Sequence, residues 1–171
     1  MSTMIGEPMP APAPPGDGAG FVEWVRPHLP AMARLAARLA VGVDRDDVVQ
    51  ESLARAWMKR HQYDGKRGTA SAWLLAITAD QARKATRRLR PVAELEEHDA
   101  ADARPDVEAR VDVDQALTAL SVRQRLAVDC YYFADLSIAD TAAVMGCSEG
   151  TVKSTLSDAR ARLRSLLEVS E

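Results

Sequence analysis

The chain has 171 residues, 47% of them hydrophobic but only 5% aromatic, and a net charge of −3. That length allows one medium domain or two small ones, and an alanine-rich, aromatic-poor composition favours closely packed helices over a β-sandwich. The acidic total argues against a uniformly basic nucleic-acid binder, while Cys130 and Cys147 sit outside any CxxC or CxxxH setting and three histidines are scattered, so disulfide scaffold and zinc site are poor readings.

Residues 1–20 are rich in Pro, Ala and Gly and lack the charged start and apolar stretch of a signal peptide. They are expected to form a disordered tail. No apolar run approaches the roughly 20 residues of a membrane span, so a cytoplasmic protein without membrane insertion is expected. A first helical unit is expected over residues 21–90. Phe21, Trp24, Val25, Met32, Leu35 and Leu39 recur at helical spacing, and Pro27 and Pro30 should kink or split that helix. Asp44 reads as the N-cap of the next helix, whose inward stripe is Val49, Leu53 and Trp57. Asp47, Gln50 and Glu51 stand at i, i+3 and i+4, a polar ridge beside that stripe. By spacing alone the ridge is equally well a solvated face. "YDGKRGT" is a turn by its two glycines, and a third helix follows with Trp73, Leu74 and Ile77 inward.

Charge then falls into blocks. Lys66, Arg67, Arg83, Lys84, Arg87, Arg88 and Arg90 stand against the single acid Asp80, and the helix dipole accounts for only one or two of them. From Pro91 to Asp114, nine acids stand against Arg104 and Arg110. This Pro-punctuated stretch has little apolar periodicity, and residues 91–112 are expected to be a flexible acidic linker.

A second helical unit is expected over residues 113–171. Ser121 with Gln124 fits a capping box opening "VRQRLAVDCYYF". Ser137 caps a short helix, Gly146 ends it and Ser148 caps the next, which together make a helix-turn-helix. On the last helix Val152, Leu156, Ala159, Leu163, Leu166 and Leu167 fall inward, and Gly150, Lys153, Ser154, Ser157 and Ala161 fall opposite. A small, hydrogen-bonding face of that kind suits a DNA major groove. Asp158, off the centre of that face, would be repelled by phosphate. It could instead cap, pair with a neighbouring arginine or accept from a cytosine amino group.

The succession "DDVVQESLARAW", a glycine loop, "SAWLLAITADQARKATRRLR", an acidic linker and "LSIADTAAVMGCSEGTVKSTLSDARARLRSLL" resembles a bacterial extracytoplasmic-function sigma factor, over almost everything from Phe21 to Leu167. The resemblance implies an all-α fold of two small helical domains joined by the flexible acidic linker. One is sigma region 2, a three- or four-helix bundle, and the other is sigma region 4, a helix-turn-helix domain. It implies that Asp47, Gln50 and Glu51 grip the clamp helices of core RNA polymerase. Binding and melting of the −10 element would fall to Lys66, Arg67, Gly68, Thr69, Asp80, Arg83, Lys84, Arg87 and Arg88. The −35 element would be read by Ser148, Glu149, Gly150, Thr151, Lys153, Ser154, Ser157, Asp158 and Arg160. The linker corresponds to a segment that passes through the RNA-exit channel in relatives, although a plain spacer explains its composition equally well.

This chain departs from the family pattern at several points. Ala70 stands where many members carry an aromatic residue, and Asp80 where many carry asparagine. Thr155 and Asp158 replace commonly basic positions, and Ser121-Val122 replaces a common Pro-Pro. A weaker or differently specified −35 contact follows, which tethering to polymerase would offset through effective concentration. The implied partners are core RNA polymerase (clamp helices and flap), promoter DNA and an anti-sigma factor. No catalytic constellation, metal or cofactor is expected, and hence no enzyme. The alternative, a stand-alone helix-turn-helix regulator, explains residues 146–167 but neither the "DDVVQE" helix nor the basic one.

Overall fold

A computed structural model describes residues 12–89 and 113–168, and the acidic stretch expected as a linker lies outside the described residues. Helix α1 (Gly18–Val25) begins at Gly18, earlier than the expected Phe21, because Asp17 caps it and accepts from the Gly20 N–H at 2.9 Å. Part of the expected tail is thus fixed in place. The Pro12 carbonyl accepts the Trp24 indole N–H at 3.0 Å, and a Cβ on Gly20 would come within 2.7 Å of Pro15. Residues 1–11 of that tail lie outside the described residues.

The expected split at the prolines is present. A 3₁₀ turn over Arg26–His28 contains Pro27, and α2 (Leu29–Leu39) resumes with Pro30 in its first turn, where the missing N–H costs no hydrogen bond. Helix α3 (Arg45–Met58) opens on Asp44, whose carboxylate accepts from the Asp46 N–H at 2.8 Å. Its buried stripe is Val48, Ser52 and Ala56, one position before the expected Val49, Leu53 and Trp57, which are half-buried at its edge. Small side chains at the centre let α2 and α4 (Ala70–Leu89) both approach α3 closely, and the Ser52 hydroxyl is satisfied by the Val48 carbonyl at 2.6 Å. On α4, Leu74 is fully buried as expected, but Trp73 and Ile77 are half-buried and Leu75, Thr78 and Ala79 complete the inner face. Met32, Leu35, Leu74 and Leu75 have no exposed surface, and each contributes about 1.5–3 kcal/mol by its burial.

In the second unit α5 (Val113–Thr118) leads to α6 (Val122–Val128), where both bonds of the capping box form between Ser121 and Gln124. The expected continuous helix through Phe133 ends early as a π turn over Asp129–Phe133, in which the Ala134 N–H reaches the Asp129 carbonyl at 2.8 Å. Helix α7 (Ile138–Met145) is capped by Ser137 and closed by Gly146 at φ 64°, a left-handed conformation that glycine adopts without strain. Helix α8 (Glu149–Glu168) buries Val152, Leu156 and Ala159, whereas Leu163 and Leu166 are half-buried and Leu167 is 47% exposed. The inward stripe therefore fades in the last turns, where α8 has run past its neighbours.

The two units are also packed on each other, which the linker reading does not anticipate. Cys130, Ala134, Leu136 and Val144 join Phe21, Val25, Met32, Leu35, Leu74 and Leu75 in one apolar cluster. Helix α7 lies along α4, and the π turn lies against α2. Around this joint the Arg38 Nε meets an Asp129 carboxylate oxygen at 2.5 Å, and the Phe133 ring lies 3.7 Å from the Arg38 guanidinium carbon. The Arg34 Nε donates to the Ala134 carbonyl at 2.9 Å, and Ser71 donates to Asp140 at 3.1 Å. Burial pushes the Cys130 thiol up to about 12, with the Asp129 carboxylate adding to the shift, so it stays a protonated, unreactive core group.

Candidate nucleic-acid and polymerase interfaces

Three surfaces carry the residues singled out from the sequence. On α3, Asp47, Gln50 and Glu51 are all exposed, on the side away from the Val48–Ser52–Ala56 stripe. Nothing about their own helix requires this ridge. Its first acid lies in the first turn, where a carboxylate favours the helix dipole, but Gln50 and Glu51 lie beyond it.

The second surface joins the loop before α4 to the outer face of that helix. Asp64 shapes the loop by accepting from the Lys66 N–H at 2.9 Å, while the Arg67 N–H bonds the Asp64 carbonyl at 3.0 Å. Thr69 caps α4, its hydroxyl accepting from the Ala72 N–H at 3.1 Å. Lys66, Arg67, Gly68 and Thr69 are exposed above an aromatic floor that the sequence reading missed. Trp24, Tyr63 and Trp73 meet there with ring centroids 5.4–6.2 Å apart, and the Tyr63 hydroxyl holds the Gly68 carbonyl at 3.3 Å. Burial raises the Tyr63 phenol above its ordinary value, with Asp64 contributing, so it remains a donor. Two of these aromatics belong to helices separated by most of the first unit, so no local spacing could announce the cluster.

Along α4, Arg83, Arg87 and Arg88 are exposed. Asp80 is exposed and pairs with Lys84 at 2.8 Å one turn on. The hydrogen bond from Lys84 holds the Asp80 carboxyl below the ordinary carboxylate range, aided by the charges of Lys84, Arg83 and Lys59. One cation of the patch is therefore engaged within the helix. Arg90 lies outside the described residues.

The third surface is the first half of α8. Ser148 accepts from the Thr151 N–H at 3.2 Å, and the two hydroxyls are 2.9 Å apart. Ser154 and Thr155 both bond the Thr151 carbonyl, at 3.0 and 2.7 Å. These hydroxyls thus have partners within the helix, and their oxygens keep acceptor capacity outward. Glu149, Gly150, Lys153, Ser157 and Asp158 are exposed. A Cβ on Gly150 would meet only the Ser148 hydroxyl, at 3.9 Å, so the glycine leaves this end of the helix open to close approach. Among the described residues no ion pair involves Asp158. Arg160, expected on the DNA face, donates to the Tyr132 hydroxyl at 3.3 Å, and Arg162 ties α8 to the Ala119 carbonyl at 2.7 Å. Both anchors bridge distant segments and lie outside any sequence motif.

Among the described residues every element is helical, and a polar ridge, a basic loop-and-helix face and a small-faced helix-turn-helix occur in one chain. The model of Sigma-70 region 2 matches residues 24–91, and that of Sigma-70 region 4 matches residues 110–163. The chain is 38% identical over 160 residues to the ECF RNA polymerase sigma factor SigM of Mycobacterium tuberculosis, covering 89% of this chain and 79% of the relative. It is 34% identical over 154 residues to the RNA polymerase sigma-E factor of Streptomyces coelicolor, covering 87% and 86%. Among solved structures it is similar to CnrH in complex with the cytosolic domain of CnrY, with TM-score 0.64, 28% identity and 91% and 92% coverage. It is also similar to the sigma factor RpoE of Bartonella quintana in complex with the anti-sigma factor NepR, with TM-score 0.58, 31% identity and 88% and 98% coverage. The chain belongs to the extracytoplasmic-function RNA polymerase sigma factors, and it directs core polymerase to promoters. The stand-alone regulator is not favoured, because the match includes region 2 as well as the helix-turn-helix.

Proposed function

We propose that residues 21–90 act as the unit that binds polymerase and the −10 element, and residues 113–171 as the unit that reads the −35 element. The observation that carries this division is the contrast of exposed faces. α3 offers acids and an amide, α4 and its loop offer cations, with the loop held to an aromatic cluster through Tyr63, and α8 offers small polar groups. Asp47, Gln50 and Glu51 meet the polymerase clamp helices, and the second unit meets the flap. Lys66, Arg67 and Thr69 with Arg83, Arg87 and Arg88 track the backbone of the opened strand. Cationic grooves with aromatic platforms are the general solution for single-stranded nucleic acid. Extruding a base costs a few kcal/mol, which contacts around the loop must return. Lys153, Ser154 and Ser157 approach base edges from the N-terminal half of α8.

The protein works in the cytoplasm as a specificity subunit with no catalysis of its own. Among the described residues no helix is long and apolar enough to cross a membrane, and no group of His, Cys, Asp and Glu is placed to hold a metal ion. An anti-sigma factor holds it inactive, a reading supported by the similarity to a sigma factor solved with NepR. The test is binding of the purified chain to core RNA polymerase. Wild type should form a stable complex and Glu51→Lys should not, while its helical circular dichroism and melting stay unchanged. Equal binding by the folded variant overturns the assignment of the ridge.

A further inference from the structure

We infer that a shallow depression lined by α2, the first residue of α3 and the π turn is a binding site for a nucleotide, with Arg34, Arg38 and Arg45 on its phosphates and Phe133 against its base. The depression has a volume of about 280 Å³, and its lining is Arg34, Ala37, Arg38, Arg45 and Phe133. None of these five residues belongs to the surfaces assigned above to polymerase and DNA. Arg34 and Arg38 stand at i and i+4 on one face of α2, and Arg45 opens α3. A chain whose net charge is −3 thus places three guanidinium groups around one small concavity. A guanidinium fork meets two phosphate oxygens at once, which a compact ammonium cannot do.

The partners these arginines already have leave donors over. Arg34 uses Nε for the Ala134 carbonyl, at 2.9 Å. Arg45 Nε lies 3.5 Å from an Asp46 oxygen, a pair whose side chains are both mostly exposed and which a phosphate can displace. Arg38 meets Asp129 through Nε, and its Nη2 is buried without a partner. The Phe133 ring lies 3.7 Å from that guanidinium carbon and is itself 45% exposed. When that ring turns toward a ligand, Nη2 gains a phosphate oxygen, and a buried donor is no longer left unmade. The nearby acids do not cancel the cations. Asp129 is matched by Arg38 and, at 3.9 Å, by Arg125, so four arginines stand against Asp129 and Asp46, a balance of +2. The apolar lining then selects the ligand. A bare phosphate would meet the cations but leave Ala37 and Phe133 uncovered, whereas a flat base covers them.

The test is isothermal titration of the full chain at low salt with GTP, ATP, tripolyphosphate and guanosine as probes. GTP or ATP should saturate one site per chain and bind about tenfold more tightly than tripolyphosphate, the size of one base–aromatic stack. Phe133→Leu should abolish that advantage and leave tripolyphosphate binding as it was. Arg34→Gln and Arg45→Gln, made separately, should each weaken both triphosphate probes severalfold. Arg45 has no partner but the exposed Asp46 pair, so its variant should melt as wild type does and keep the test independent of folding. The inference is overturned by the absence of saturable nucleotide binding, by equal affinity for GTP and tripolyphosphate, or by guanosine binding as tightly as GTP. It is overturned equally if affinity survives Arg34→Gln and Arg45→Gln but falls when Arg87 and Arg88 are replaced by alanine, since the phosphates would then lie on α4.

Discussion

The outer faces of α4 and α8, both proposed to meet DNA, are constructed differently. The α4 face carries long cations, with Lys84 restrained by Asp80 and with Arg83, Arg87 and Arg88 exposed. The α8 face carries short hydroxyls bonded to their own helix, one lysine, one glycine and an acid. The first design binds charge, which is the same along every sequence. The second permits close approach and suits the reading of base edges, at the expense of affinity. On the proposed assignment, the difference teaches that grip and discrimination would fall to different units.

The largest effect should come from removing grip. Arg87→Ala with Arg88→Ala should reduce the salt slope of promoter binding by about 2, roughly 1 per lost phosphate contact, and weaken strand opening on every promoter alike. Filter binding across a salt series and permanganate reactivity of the −10 thymines measure the two. A slope equal to that of wild type would erase the distinction between the faces. Next in size, Lys153→Ala should cost about 1–3 kcal/mol of discrimination between matched and scrambled −35 elements, measured with holoenzyme. An equal loss on both templates would move Lys153 into the gripping class.

Asp158→Arg should act in the opposite sense, raising affinity for matched and scrambled −35 sequences by a similar, smaller factor, since a new phosphate contact carries no sequence information. Loss of affinity confined to the matched element would make Asp158 a base contact. The smallest effect concerns Asp80. Its carboxyl titrates below the ordinary carboxylate range, so its contribution to stability is complete above that range and disappears as pH falls through the lowered value. The pair is solvent-exposed, so Asp80→Asn should cost no more than about 0.5 kcal/mol in urea melts at pH 7. It should slightly strengthen single-strand binding by freeing Lys84. Weakened binding would show that the acid itself touches DNA.

The parts of this molecule legible in its sequence are the local ones. The caps at Asp44, Ser121, Ser137 and Ser148 each act over two or three residues, so residue type and spacing suffice to place them. The glycine turn at 146 and the proline split before α2 are of the same kind. The phase of α3 was displaced by one position because periodicity weighs large apolar residues, whereas close helix packing selected Ser52 and Ala56. The seat of one unit on the other was not legible. Arg38 and Asp129 are 91 residues apart, and an aspartate after "LAV" carries no mark of its partner. The aromatic floor under the loop of residues 66–69 was not legible for the same reason: Trp24, Tyr63 and Trp73 meet only in the folded chain.

The central claim, that this chain gives core polymerase its promoters through two separate DNA faces, is tested most directly by strand opening. Core RNA polymerase with and without the purified chain is incubated with genomic DNA of the source organism, and permanganate-reactive thymines are mapped. The account predicts a limited set of openings that require both the chain and core, each with a shared sequence motif upstream at the −35 position. Openings that are the same without the chain, or a chain that protects duplex DNA while leaving core polymerase inactive, would contradict it.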